Sequence, residues 1–154
     1  MNEQYAFCER CIAQTVALLN DRQHGRHPNE GDIRRRRKIG RIALRGLYDA
    51  LRQAFLTPID REDLWRLCLL SERVLFAAEE MILRQQPFNA AAVEIVARLQ
   101  RSVTAFPDFR SDENFFDQAT ELQALLATVY PRNALSDACG RLADELLFAA
   151  LKNE

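Results

Sequence analysis

Residues 60–87, DREDLWRLCLLSERVLFAAEEMILRQQP, decide the fold class. Leu64, Leu67, Leu70, Val74, Leu75 and Ile82 recur at three- and four-residue spacing, which is the period of a helix with one buried side. Asp60 stands where an N-cap belongs, and Glu62 and Asp63 fill the first turn, where unpaired backbone N–H groups and the helix dipole favour negative charge. Pro87 closes the stretch, because proline has no N–H to continue the ladder.

The same period runs outward in both directions. Before it, a helix from about Glu3 to Asn20 carries Tyr5, Cys8, Ile12, Val16 and Leu19, and the polar run DRQHGRHPNEG that follows reads as a loop. A second helix starts near Asp32 as N-cap, shows Ile39, Ala43, Leu47, Leu51 and Phe55 as one stripe, and stops at Pro58. After it come a fourth helix from Asn89 to Thr104, a break at Phe106-Pro107-Asp108, and a fifth from about Asp112 to Tyr130. The last opens at Pro131 and Asn133 and carries Leu135, Leu142, Leu146 and Leu147. No strand-like alternation interrupts the pattern, so the expectation is an all-α bundle of six helices in one domain, in two three-helix halves of about residues 1–86 and 89–154.

Composition agrees with a folded globular chain. At 154 residues, 48% hydrophobic and 28% charged, it can bury a core without disulfides or metals. The acidic amino terminus does not resemble a signal peptide and no apolar run approaches the roughly 18 to 20 residues that cross a bilayer, so a cytoplasmic protein is expected, with Cys8, Cys11, Cys68 and Cys139 as thiols. The net charge of −1 is unevenly spread: residues 22–52 hold ten Arg or Lys against Glu30, Asp32 and Asp49, about +7, which leaves about −8 for the rest. Such a patch could meet phosphate, an acidic partner or anionic lipid, or pair with the chain's own acidic helices.

The most specific stretch is residues 51–64, LRQAFLTPIDREDL. Its core, Thr57, Pro58, Ile59, Asp60, Arg61, Glu62 and Asp63, resembles without a gap the corner between two helices in the PhoU-like proteins that accompany Pit-type phosphate transporters. The last helix resembles that family's final helix through Asp137, Ala138, Arg141 and Asp144, and about a third of the chain carries the likeness. The resemblance implies a bundle of two three-helix halves, and an accessory or regulatory role without enzymatic activity at the cytoplasmic side of a phosphate transporter. It also implies metal-binding Glu-x-x-x-Asp motifs on the second and fifth helices. There the sequence departs: Arg37, Lys38, Ile39, Gly40 and Arg41 occupy the place of the first motif, Glu72 remains on the third helix beside Arg73 and Phe76, and the fifth offers Glu121. Guanidinium groups hold no hard cation, so the family's metal cluster is expected to be missing and no cofactor is required.

Other constellations point to binding chemistry. Arg37, Lys38, Arg41 and Arg45 lie along one side of the second helix and could grip an anion such as phosphate, or form a solvated face balanced by Glu72, Glu79, Glu80 and Asp144. Glu72 and Glu79, and likewise Asp137 and Asp144, are seven apart and project from one face of their helices, a residual metal site if the two helices adjoin. Cys8 and Cys11, followed by His24 and His27, approximate zinc-ligand spacing, although thiols three apart also suit a helix core. No nucleophile-base pair or phosphate loop stands out, and aromatic residues do not interleave with the basic run as nucleic-acid binding would need. The expected partner is a Pit-type transporter or another protein, with membrane contact only through it and a homodimer within reach of the apolar content.

Overall fold

The computed structural model describes residues 3–54, 57, 59–87 and 90–154. Phe55, Pro58 and Asn89, assigned above to a stripe, a helix stop and a helix start, lie outside the described residues. Within them are six helices and no strand: α1 (Glu3–Gln23), α2 (Glu30–Gln53), α3 (Arg61–Leu83), α4 (Ala90–Ala105), α5 (Asn114–Ala127) and α6 (Ala134–Lys152). The expected all-α class and the count of six helices are therefore observed.

The helix ends follow local chemistry. α1 runs three residues past the expected Asn20 and is closed by Gly25, whose φ of 74° lets Arg26 N–H turn back to the Asp21 carbonyl at 2.8 Å. α2 begins earlier than expected: Asn29, not Asp32, is its cap, accepting from Gly31 N–H at 2.6 Å, and Asp32 falls inside the first turn. Asp60 caps α3 as expected, at 3.0 Å from Glu62 N–H. α5 is shorter than the expected 112–130, ending where the Thr128 hydroxyl bonds the Leu125 carbonyl at 2.7 Å. Asn133 and Ser136 form a reciprocal capping box at the start of α6.

Four helices make the core: α1 packs on α3, α3 on α6, α1 on α4 and α4 on α6. α5 leans against α4 and α6 from outside, and α2 lies outside on α3 with a few contacts to α1. Tyr5, Ile12, Leu64, Leu67, Leu99, Leu122 and Leu142 are among the fully buried side chains, each contributing about 1.5–3 kcal/mol by leaving water. The break at residues 106–108 is a 3-10 turn, and its Phe106 is a hub of the interior, with ring centroids 5.5 Å from Tyr5, 5.5 Å from Phe109 and 5.8 Å from Phe115. No helix is long and apolar enough to cross a membrane.

Candidate functional site

α2 is the helix whose sequence and packing disagree most. Its buried side chains are Ile33, Leu47 and Leu51, with Leu44 half-buried against the core. The expected stripe through Ile39 and Ala43 is corrected: Ile39 is 60% exposed and Ile42, on the far side of the helix, 67%. A row of four-residue steps drifts about 40° per step, so a row that starts at 39 reaches the core only by 47 and 51. The inward row is instead 33, 37, 40, 44, 47 and 51, and two of its members, Arg37 and Gly40, are not apolar.

Each end of α2 is held by different chemistry. At its carboxyl end the Arg61 guanidinium donates to the carbonyls of Leu51, Arg52 and Ala54 at 3.2–3.4 Å, and Tyr48 meets Trp65 edge-on with centroids 5.3 Å apart. In its amino half Arg37 donates to Glu79 Oε1 at 3.2 Å and Glu80 Oε1 at 3.0 Å, while its guanidinium lies 5.0 Å from the centre of the Phe76 ring. Between these attachments α2 bridges a cleft of about 250 Å³. Gly40 forms part of its roof, and a Cβ at that position would touch nothing within 4 Å.

The walls of the cleft are Phe7, Cys11, Leu75 and Phe76, with Glu72 and Glu79 from α3 facing it and Arg10 and Arg36 at its edge. Glu79 is fully buried, and its Oε2, like that of Glu72, has no hydrogen-bond partner among the described residues. Burial raises the pKa of both acids. For Glu79 the hydrogen bond and charge of Arg37 pull the other way, and for Glu72 the charge of Arg41 does. Cys11 is pushed up to about 12, first by burial and then by Cys8 and the two glutamates, so its thiol stays protonated. The arrangement joins an acidic, desolvated floor to apolar walls and a basic edge. A larger cavity of about 440 Å³, between α4, α5 and the start of α6, has Ile95, Leu125, Tyr130 and Leu135 in its lining but no acid or base to orient a ligand.

The other expected site residues separate. Lys38, Arg41 and Arg45 are exposed on α2, while Arg37 turns inward to its glutamates, so the four anion-binding candidates do not act as one group. Glu79 and Glu80 balance Arg37 as expected. Asp144 does not join them, because it accepts from Gln123 at 2.8 Å; Asp137 pairs with Arg132 at 2.8 Å. Glu72 and Glu79 share a face, but α6 does not bring Asp137 and Asp144 to it. Cys8 and Cys11 are buried in α1, Cys8 Sγ 3.5 Å from Cys68 Sγ. His24 follows the end of α1, about 18 Å of helix beyond Cys11, and His27 is exposed, so the Cys and His residues do not converge. Among the described residues no three His, Cys, Asp or Glu side chains could share a metal ion.

The run 57–63 has structural work. The Thr57 hydroxyl bonds the Ile59 carbonyl, Ile59 is buried, Asp60 caps α3 and Arg61 caps α2. Asp63 is buried against Lys152 of α6 and Asn153, which caps that helix, at 3.3 Å and 3.4 Å. Pro58 lies outside the described residues. Periodicity gives no sign of Phe7, Arg36 and Gly40 as parts of the cleft; in the sequence Gly40 stands out only as a departure from a motif. Compared with models of known protein families, with curated proteins and with solved structures, the chain matches none.

Proposed function

We propose that the protein is a non-catalytic accessory protein that works by laying the outward face of α2 against an acidic surface of a partner protein. The observation that supports this is Ile42, water-facing on the same side of the helix as Lys38, Arg41 and Arg45, with the exposed Ile39 between it and the rim of the cleft. Exposed isoleucines do little to hold the chain together, whereas aliphatic contact beside arginine is common in protein interfaces. α2 is also the least embedded helix, attached by its inward row, by Tyr48 against Trp65 and by the Arg61 cap at its end.

The resemblance of residues 57–63 to the PhoU-like proteins makes the cytoplasmic side of a Pit-type phosphate transporter the first partner to test. The six-helix count is the one that resemblance implies. On this reading the chain works in the cytoplasm, reaches the inner membrane only through its partner, and regulates transport by contact with no cofactor.

Co-purification of a detergent-solubilised Pit-type transporter on the tagged chain tests this. The wild-type chain retains the transporter at low salt, releases it as ionic strength rises to about 0.5 M, and loses it when Arg41→Glu/Arg45→Glu or Ile42→Asp is introduced. Retention that is indifferent to these substitutions, or no retention by the wild-type chain, overturns the reading.

A further inference from the structure

The cleft beneath α2 has a chemistry that contact through the outward face of that helix does not use. Its floor presents two carboxylate oxygens, Glu72 Oε2 and Glu79 Oε2, that lack partners, and Glu79 is wholly buried. An ionised carboxylate only accepts hydrogen bonds, so the group that completes this floor must donate. A protonated amine donates three and brings the opposite charge. A hard divalent cation suits the floor less well: it asks for six or more oxygen ligands, and no group of three candidate metal ligands occurs among the described residues.

The edge has the opposite sign. Arg10 and Arg36 line the cleft without an ion pair among the described residues, and Arg37 is tied to Glu79 and Glu80. Three guanidinium groups around the opening would repel a ligand that is positive throughout, and the two glutamates would repel one that is negative throughout. Phe7, Leu75 and Phe76 set an apolar span between floor and edge. A volume of about 250 Å³ falls just below the range of roughly 300–1,000 Å³ typical of drug-sized ligands, so the occupant is small. Position 40 leaves this space open: the inward row of α2 places Gly40 over the cleft, and a Cβ there would meet nothing within 4 Å.

We propose that this cleft binds a small zwitterion with a primary ammonium at one end, a short aliphatic body and a carboxylate at the other, an ω-amino acid in shape. The ammonium bridges the free oxygens of Glu72 and Glu79, the chain lies against Phe7 and Leu75, and the carboxylate meets Arg10 and Arg36. Bound this way the ligand joins α1, α2 and α3 across the gap that α2 now spans. The proposal concerns the inner side of α2 and stands or falls separately from the docking of its outer side.

Calorimetric titration and thermal melting of the full chain with 5-aminopentanoate test it, beside pentanoate, pentylamine and 1,5-diaminopentane as single-charge and doubly cationic probes. The zwitterion binds and raises the melting temperature in a concentration-dependent way, and each of the others binds at least tenfold more weakly. Gly40→Leu fills the cleft and abolishes the shift while its own melting temperature stays at or above that of the wild type. Glu79→Gln and Glu72→Gln each weaken binding at least tenfold, and Arg36→Gln weakens the zwitterion but not pentylamine. No binding of 5-aminopentanoate, or binding that survives Gly40→Leu and Glu79→Gln, overturns the site. Equal binding of pentylamine or the diamine overturns the zwitterion assignment.

Discussion

Arg37 on α2 and Glu79 on α3 form an ion pair across two helices, with Nε 3.2 Å from Oε1, in which the acid is 1% exposed and the base 24%. The pair is stabilising only as a pair. Removing one member of a buried pair costs about 3–5 kcal/mol because the other is left charged and dry, and a group that can take up a proton or reach solvent softens that cost. Arg37→Met is therefore expected to lower unfolding free energy by about 2–3 kcal/mol at pH 7. Arg37→Met combined with Glu79→Leu recovers most of this, so the two changes are strongly non-additive in urea denaturation. A cost below about 0.5 kcal/mol for Arg37→Met, the range of an ordinary surface change, would remove the pair as an anchor of α2.

Glu72 sets a pH dependence of known sign. Burial raises its pKa in the folded state above the ordinary 4.5, against the charge of Arg41, so the folded chain holds this proton more tightly than the unfolded chain. The contribution is fully present below the unfolded pKa and is lost as pH climbs through the folded one. Glu72→Gln keeps the volume and removes the titration. Relative to wild type, the variant becomes more stable as pH rises from about 4 to 7 and then levels off, by less than about 1 kcal/mol because the group is only partly shielded from solvent. Urea midpoints measured at several pH values check the sign, and a difference that falls with pH contradicts it.

All four thiols are buried, and they should be inert in the native protein. Burial is the main reason that Cys11 and Cys139 are each pushed up to about 12; Cys68 is raised first by its contact with Cys8 and then by burial. Since the thiolate is the nucleophile, reaction at pH 8 waits on local opening. Alkylation by iodoacetamide, followed by mass spectrometry, is expected to be at least about 100-fold slower in buffer than in 6 M urea for all four, a ratio that an opening free energy of only about 2.7 kcal/mol would produce. Rapid labelling of Cys11 alone would show that the cleft beside it admits water and reagent freely.

The inner helices were legible in the sequence because each buries a stripe that repeats with the helix period. Leu64, Leu67 and Val74 of α3 and Leu135 and Leu142 of α6 have no rival assignment, and all are buried. The burial of α2 is hidden in the sequence for a physical reason. The helix sits at the margin, so Ile39 and Ala43, which reach only the rim of the cleft, imitate a core stripe, while its inward row is disguised by Arg37 and Gly40. The run from Arg34 to Lys38 turns through a little more than one full helical circuit, so one of the five cations had to face inward; which one depends on where Glu79 stands, a fact of tertiary packing. Glu72 and Glu79 could be placed on one face from their spacing, but not what lies opposite them. Phe106 read as a break because Pro107 follows it, and the 3-10 turn that ends the helix also points its ring into the core.

The corner formed by residues 57–63 makes a prediction that separates a structural duty from a partner-binding one. Asp63 is fully buried, with Lys152 Nζ 3.3 Å from Oδ2, Asn153 Nδ2 at 3.4 Å and Arg66 Nη1 at 3.6 Å, so it ties the start of α3 to the end of α6. Asp60 adds a second contact to Lys152 at 3.4 Å. Asp63→Ala removes several charged hydrogen bonds but leaves Lys152 able to return to water, so the expected loss is about 1–3 kcal/mol, with Asp63→Asn in between. Hydrogen exchange should quicken at residues 146–153 while α4 and α5 are unaffected. Because the side chain is sealed from solvent, a protein bound at the outward face of α2 should be retained by Asp63→Asn as well as by wild type under conditions where both are folded. Loss of that partner without loss of stability would mean that the corner itself is the contact, a binding surface and not a way of closing the bundle.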